Sequence, residues 1–386
     1  MDSQLSVGMR IARIAFMIPP SDAAAPSTAL PVDPTGAAPC DTASRDVPEQ
    51  LRLAPGRVAL WRSPTCLQLG LDPQRAMVLD ELPEPLAALL KRMDGVCSTT
   101  ELLNEAQAAG SSRRAALTML ADMHSCGLVQ ETAADAGRPG WHRVALATEA
   151  AGWSVHSCHP TRQVLRQRRK AVVRVVGSGR VGVAVATGLA AAGVGHVAVQ
   201  ATGTVAAADL GTGYLPDDLG RPRAAAAADA VRRCAPDVII AARRRPDLIV
   251  LSDIVVPEPA VVTELLGSRI PHLVGYAHEG TAVVGPLVWP GRTSCLRCAE
   301  LHRAHVDPAW PKLAAQLVGV IPTAGLACTQ LAAALTTEQV LATLAGPQTD
   351  LPIPPTWGAT LQLDPVRGSL LILPRPAHPG CGCGAG

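Results

Sequence analysis

Along residues 51–131 the apolar positions first alternate with polar ones and then recur at helical spacing. Stretches 57–61, 66–71 and 76–79 read as strands, separated by the turn pairs Ser63-Pro64 and Asp72-Pro73. Pro83 and Pro85 then open a helix in which Leu86, Leu89, Leu90 and Met93 repeat, and Asp94-Gly95 closes it. Ser98-Thr99-Thr100-Glu101 caps a second helix that stops at Gly110. Ser111-Ser112 caps a third, with Leu117, Leu120 and Met123 on one face and Gly127 as its stop. Strands followed by three short helices predict a small winged-helix module over residues 51–132. The next stretch, 133–169, has no clear period, contains Gly137, Pro139, Gly140 and Gly152, and reads as a linker. Trp141 and Trp153 read as docking anchors within it, and Arg162, Arg166, Arg168, Arg169 and Lys170 as a solvated approach to a strand.

From residue 170 the pattern changes. Residues 171–176 form a buried-type strand, 177–182 a glycine turn, and an Ala/Val-rich helix runs to about residue 192. Further apolar strands follow at 195–200 and 247–251. Strand, helix and strand at this spacing make a βαβ unit, so residues 170–386 are expected to be an α/β, Rossmann-like domain with a mainly parallel sheet.

Composition adds bounds. The 386 residues suffice for two domains, and 48% hydrophobic with 17% charged residues marks a mostly globular chain. Residues 1–50 are rich in Ala, Pro, Ser and Asp and read as a disordered lead-in. With 34 basic and 32 acidic residues, bulk charge does not drive polyanion binding. No apolar run is long enough to span a bilayer, and the apolar stretch 11–18 is short and broken by Arg13. A cytoplasmic protein without membrane contact is expected.

Eleven cysteines are present. Cys97, Cys234 and Cys328 are isolated and read as small buried apolar residues. Cys295 and Cys298 stand two residues apart, a spacing that lets one turn aim both thiolates at a single tetrahedral metal. Cys381 and Cys383, among the glycines at 380, 382 and 384, supply a second pair. Four such ligands predict a closed, structural zinc site; His302, His305 and His378 are alternative ligands nearby, and disulfides are the competing use.

Gly177, Gly179 and Gly182 form G-x-G-x-x-G between a strand and a helix, where backbone amides bind phosphate. The same glycines also permit close packing of helix on strand. A nucleotide ribose normally meets a carboxylate at the end of the second strand, but that place reads Gln200-Ala201-Thr202-Gly203. An NAD-dependent oxidoreductase is therefore disfavoured.

With these features in order, residues 165–386 resemble the activating-enzyme superfamily of ThiF/MoeB type, which adenylates carboxyl termini. The segment from Val284 through Trp289-Pro290-Gly291-Arg292-Thr293-Ser294 to Cys298, continued by Asp307-Pro308-Ala309-Trp310-Pro311, resembles the E1-like proteins that accompany YcaO cyclodehydratases in making thiazole/oxazole-modified peptides. The 51–132 module resembles their PqqD-like leader-peptide recognition domain. The resemblance implies that Gly177, Gly179 and Gly182 keep the nucleotide loop, that Arg223 replaces a phosphate-binding lysine, and that Asp253 matches a metal-binding aspartate; a turn or cap role for Asp253 fits equally well. Asp209-Leu210-Gly211-Thr212-Gly213 lacks the family's arginine there. Loss of these groups predicts weak or absent ATP binding and no adenylation. The resemblance also implies a structural zinc, a homodimer, and a precursor leader peptide added as a strand along Ala76, Met77, Val78 and Leu79, against a helix presenting Arg113, Arg114 and Leu117. The expected function is a non-catalytic scaffold that presents the peptide to a YcaO-type partner in trans. The alternatives are a working adenylating enzyme and a DNA-binding or other interaction protein; the 115–123 helix has no dense basic face, which disfavours nucleic acid.

Overall fold

The computed structural model describes residues 3–4, 10–13, 47–54, 56–72, 76–131, 140–155, 161–177, 179–240, 244–345 and 353–385. The chain divides into two compact units, Met1–Arg162 and Gln163–Gly386.

The first unit contains β1 (Ser3–Gln4), β2 (Arg10–Arg13), β3 (Gln50–Leu53), β4 (Ala59–Ser63), β5 (Cys66–Leu69) and β6 (Met77–Asp80). After these come α1 (Glu84–Lys91), β7 (Asp94–Ser98), α2 (Thr99–Ala108), α3 (Arg113–Ser125), β8 (Val129–Glu131) and α4 (Gly140–Ser154). The strands and helices predicted between 57 and 127 are present, with ends shifted by a few residues. Their signals act as expected. The Ser98 hydroxyl accepts the Glu101 N–H at 3.1 Å while the Glu101 carboxylate accepts the Ser98 N–H at 2.8 Å, a reciprocal cap on α2. Leu67, Leu69 and Leu79 from the strands meet Leu86, Leu90, Leu102, Met119 and Leu120 from the helices in one buried core.

Three features were not expected. A second antiparallel sheet, ordered β7-β3-β8, starts at the Asp94-Gly95 pair that reads as a helix stop. The stretch taken for a linker is helical over α4 and over α5 (Thr161–Lys170). Residues 10–13, inside the supposedly disordered lead-in, form β2 and pair antiparallel with β6, giving the order β1-β2-β6-β5-β4.

In the second unit β9 (Val172–Val176), α6 (Arg180–Ala191), β10 (His196–Gln200), α7 (Arg223–Cys234) and β11 (Leu248–Ser252) build the expected βαβ core. Then come α8 (Pro259–Ser268), β12 (His272–His278), β13 (Thr281–Val288), α9 (Leu296–Val306), α10 (Trp310–Leu317), α11 (Leu326–Ala345), β14 (Ala359–Asp364) and β15 (Ser369–Pro374). The seven strands order as β10-β9-β11-β12-β13-β14-β15. The first four are mutually parallel, which confirms the Rossmann-like α/β reading, and β13 to β15 extend the sheet antiparallel. The reversal is local: Glu279 (φ 46°) and Gly280 (φ 80°) make a two-residue turn of the kind that joins tightly twisted antiparallel strands. Every residue of β11 is buried, as a strand covered on both faces requires. Arg168, read as solvated, is 1% exposed and donates to the Ala192 carbonyl at 3.2 Å. Among the described residues no helix is long and apolar enough to cross a membrane.

Candidate functional site

The glycine loop leaves β9 and meets the end of β11 at close range. Gly177 lies at φ 112°, and a Cβ there would fall 2.1 Å from the Ser252 carbonyl oxygen. A Cβ at Gly179 would lie 2.8 Å from Asp253 Cγ, and one at Gly182 would lie 2.6 Å from Ser252 Oγ. The close passage of Ser252 and Asp253 thus requires all three glycines, apart from any ligand. Asp253 itself is left-handed at φ 57°. Its Oδ1 accepts the Val181 N–H at 3.0 Å and its Oδ2 the Gly182 N–H at 2.9 Å. The first turn of α6, whose amides would otherwise face an anion, is capped by the chain's own carboxylate. Burial pushes the Asp253 carboxyl above its ordinary range, and the Gly182, Val181 and Gly179 amides pull against that shift. These contacts are those of the capping role, one of the two that the sequence leaves open for Asp253.

Arg223 opens α7 with its Nη2 2.8 Å and its Nε 3.2 Å from Asp209 Oδ2. That oxygen also accepts the Ala206 N–H at 2.8 Å. The guanidinium is therefore already paired. Gln200, where a ribose carboxylate would stand, is exposed, and its carbonyl accepts the Gly177 N–H at 3.1 Å.

The four paired cysteines converge although they are far apart in sequence. Cys295 caps the N-terminus of α9, Cys298 lies in its first turn, and Cys381 and Cys383 follow β15. Sγ separations are 3.8 Å for Cys295 and Cys298, 3.6 Å for Cys295 and Cys381, and 3.6 Å for Cys298 and Cys383. All four sulfurs lie within 4.8 Å of one another and could hold a metal ion. Tetrahedral zinc with Zn–S of about 2.3 Å needs sulfurs about 3.8 Å apart, so the donor set fits. None of these four cysteines is in a disulfide. Burial pushes the Cys295 and Cys381 thiols up, whereas the Ala385 amide and the neighbouring thiols bring Cys383 down to about 7 against the effect of its own burial. The alternative histidines do other work. His302 and His378 pack edge to face at 4.7 Å, His302 Nε2 lies 3.2 Å from the Pro376 carbonyl, and His378 Nδ1 accepts the Gly380 N–H at 3.0 Å. Of the isolated cysteines Cys328 is buried as expected, Cys97 is half-buried, and Cys234 is exposed because it ends α7 on the solvent side.

In the first unit Ala76 and Leu79 are fully buried, while Met77 and Val78 are half-buried. The edge they form is not bare. Arg10, Ile11, Ala12 and Arg13 pair with Asp80, Leu79, Val78 and Met77 in turn. On α3, Leu117 packs partly buried against the core, Arg113 Nη1 donates to Asn104 Oδ1 at 2.9 Å, and Arg114 is exposed.

A cavity of about 580 Å³, which the sequence did not announce, lies in the second unit between α8, α9, α10 and strands β12 to β14. It is lined by residues such as Val262, Val274 and Val283, with Glu300, Arg303 and Arg375 at its wall.

Comparison with known proteins now bears on these sites. Residues 159–248 match the ThiF family. No curated protein matches the chain. Among solved structures, E. coli MccB with ATP superposes with a TM-score of 0.64 at 15% identity, covering 87% of this chain and 100% of that one. The microcin C7 biosynthetic enzyme MccB in complex with N-formylated MccA gives 0.62 at 13% identity, covering 87% and 100%. PaaA gives 0.61 at 16% identity, covering 83% and 98%. At such identities the likeness establishes the fold. The matched ThiF segment holds the glycine loop, Arg223 and Asp209, whereas Asp253 and the cysteine cluster lie beyond it.

Proposed function

We propose that this protein is a non-catalytic, ThiF-like scaffold that binds a ribosomal precursor peptide and presents it to a separate modifying enzyme of the YcaO cyclodehydratase type. The observation that carries the reading is the Asp253 carboxylate seated on the Val181 and Gly182 amides. A nucleotide phosphate would have to displace a buried, charge-assisted pair of hydrogen bonds, then find Arg223 held by Asp209 and no carboxylate at Gln200. Support for the peptide comes from the first unit's antiparallel strands β4 to β6 with helices α1 to α3 and from the likeness to MccB, solved with MccA bound. In this reading Cys295, Cys298, Cys381 and Cys383 hold a structural zinc with no open ligand position, and the scaffold works as a homodimer in the cytoplasm.

A second reading, a working adenylating enzyme, is favoured by the same fold over 87% of the chain in MccB with ATP. Calorimetric titration of the full protein with ATP–Mg, combined with a pyrophosphate-exchange assay, separates the two. The scaffold predicts no binding tighter than about millimolar and no exchange, since each missing ribose or phosphate contact costs about 1–3 kcal/mol. Micromolar binding with exchange would transfer the assignment to the enzyme.

A further inference from the structure

The cavity in the ThiF unit has a charge balance that its apolar walls do not explain. Glu300 is its one lining carboxylate, and it is fully engaged: Arg303 Nη1 lies 2.7 Å from Oε1, and the Trp310 indole N–H donates to Oε2 at 2.6 Å. Arg303 also stacks on the Trp310 ring, 5.0 Å from its centroid. These three residues hold one another by hydrogen bonds and stacking. Arg375 is left outside this group. Its Nε donates to Thr360 Oγ1 at 2.9 Å, its backbone carbonyl is held by the Ser294 hydroxyl, and among the described residues no carboxylate pairs with it. Burial, with repulsion from Arg303, holds the Arg375 guanidinium below its ordinary range, against the smaller pull of Tyr276 and Glu300.

Arg375 is a half-buried guanidinium that no carboxylate pairs with among the described residues, and with the exposed Arg297 it gives a cavity of about 580 Å³, walled mainly by apolar side chains, an excess of positive charge. The volume falls within the roughly 300–1,000 Å³ of small-molecule pockets. We infer that this cavity binds a small amphipathic carboxylate, its acid group on Arg375 and its apolar chain among Val262, Val274 and Val283. The Arg375 end of the cavity lies away from the glycine loop, although Val255 and Val256, which follow Asp253, also line it. Thr360 stands on β14 and the loop follows β9, and four strand spacings of about 4.8 Å put them about 19 Å apart across the sheet.

The test uses the full chain and decanoate as probe, followed by calorimetry and by the change in tryptophan fluorescence expected with Trp310 at the wall. Decanoate should bind at least about tenfold more tightly than decanol, because a charge-assisted hydrogen bond is gained only by the acid. Arg375→Met should remove that preference, and Arg375→Lys should restore part of it. The lysine variant, together with an unchanged melting temperature, distinguishes loss of the anion contact from loss of the fold. Equal binding of acid and alcohol, or an Arg375→Met protein that keeps the preference, would overturn the inference. An apolar peptide ending in leucine serves as a second arm; tighter binding of that peptide than of decanoate would overturn the assignment to a small free acid.

Discussion

Asp253 decides how the glycine loop is used. As an aspartate following a buried strand it has two readings in the sequence, a metal ligand or a cap. Its left-handed backbone and its bonds to two amides of α6 make it a cap supplied from another element. The glycine spacing was legible because close approach always needs glycine; what approaches was not, since Ser252 and Asp253 arrive from a distant strand. Asp253→Ala should destabilise the second unit by about 1–3 kcal/mol, because two buried donors lose their acceptor. Asp253→Asn should lose less, because it keeps one carbonyl acceptor and tolerates the left-handed conformation. Urea unfolding of both variants checks this ordering. If the carboxylate contributed nothing to holding the loop, Asp253→Ala would leave the stability unchanged.

At the level of elements, local chemistry wrote most of the first unit into the chain. The cap at Ser98 and Glu101, the stops at Gly110 and Gly127, and the apolar repeat of α3 act within a few residues, so periodicity reveals them. The three-stranded sheet β7-β3-β8 stayed hidden because its partners are brought together only by folding. So did the pairing of β2 with β6, which puts the chain's own strand on the edge expected to receive a leader peptide. A peptide adding to that edge must compete with a tethered one, whose effective concentration is in the millimolar range. Ala12→Pro, which restricts φ inside β2 and is disfavoured within a sheet, should therefore speed amide exchange across Met77–Asp80 and strengthen binding of an added peptide severalfold. Hydrogen exchange and fluorescence polarisation with a labelled peptide of residues 1–14 measure both. Unchanged exchange on that strand would show that β2 does not protect it.

For the whole molecule, the cysteine cluster fastens the end of the second unit to the start of α9. A filled zinc site contributes its binding free energy to folding. Chelation should therefore remove about one zinc per chain and lower the melting temperature of the Gln163–Gly386 unit, leaving the transition of Met1–Arg162 in place; scanning calorimetry with metal analysis would resolve the two. A single unshifted transition after metal removal would exclude a structural role. The sequence by itself determined the α/β class, the βαβ core, the helical caps and the two cysteine pairs, because each is encoded by periodicity or by spacing within a few residues. The tertiary structure decided what lies across the chain: the convergence of the two cysteine pairs, the carboxylate on the helix terminus, the strand on the acceptor edge, and the arginine facing an apolar cavity. These depend on residues far apart in the chain, eighty-six positions for Cys295 and Cys381, and no local pattern records which distant side chain folding brings alongside.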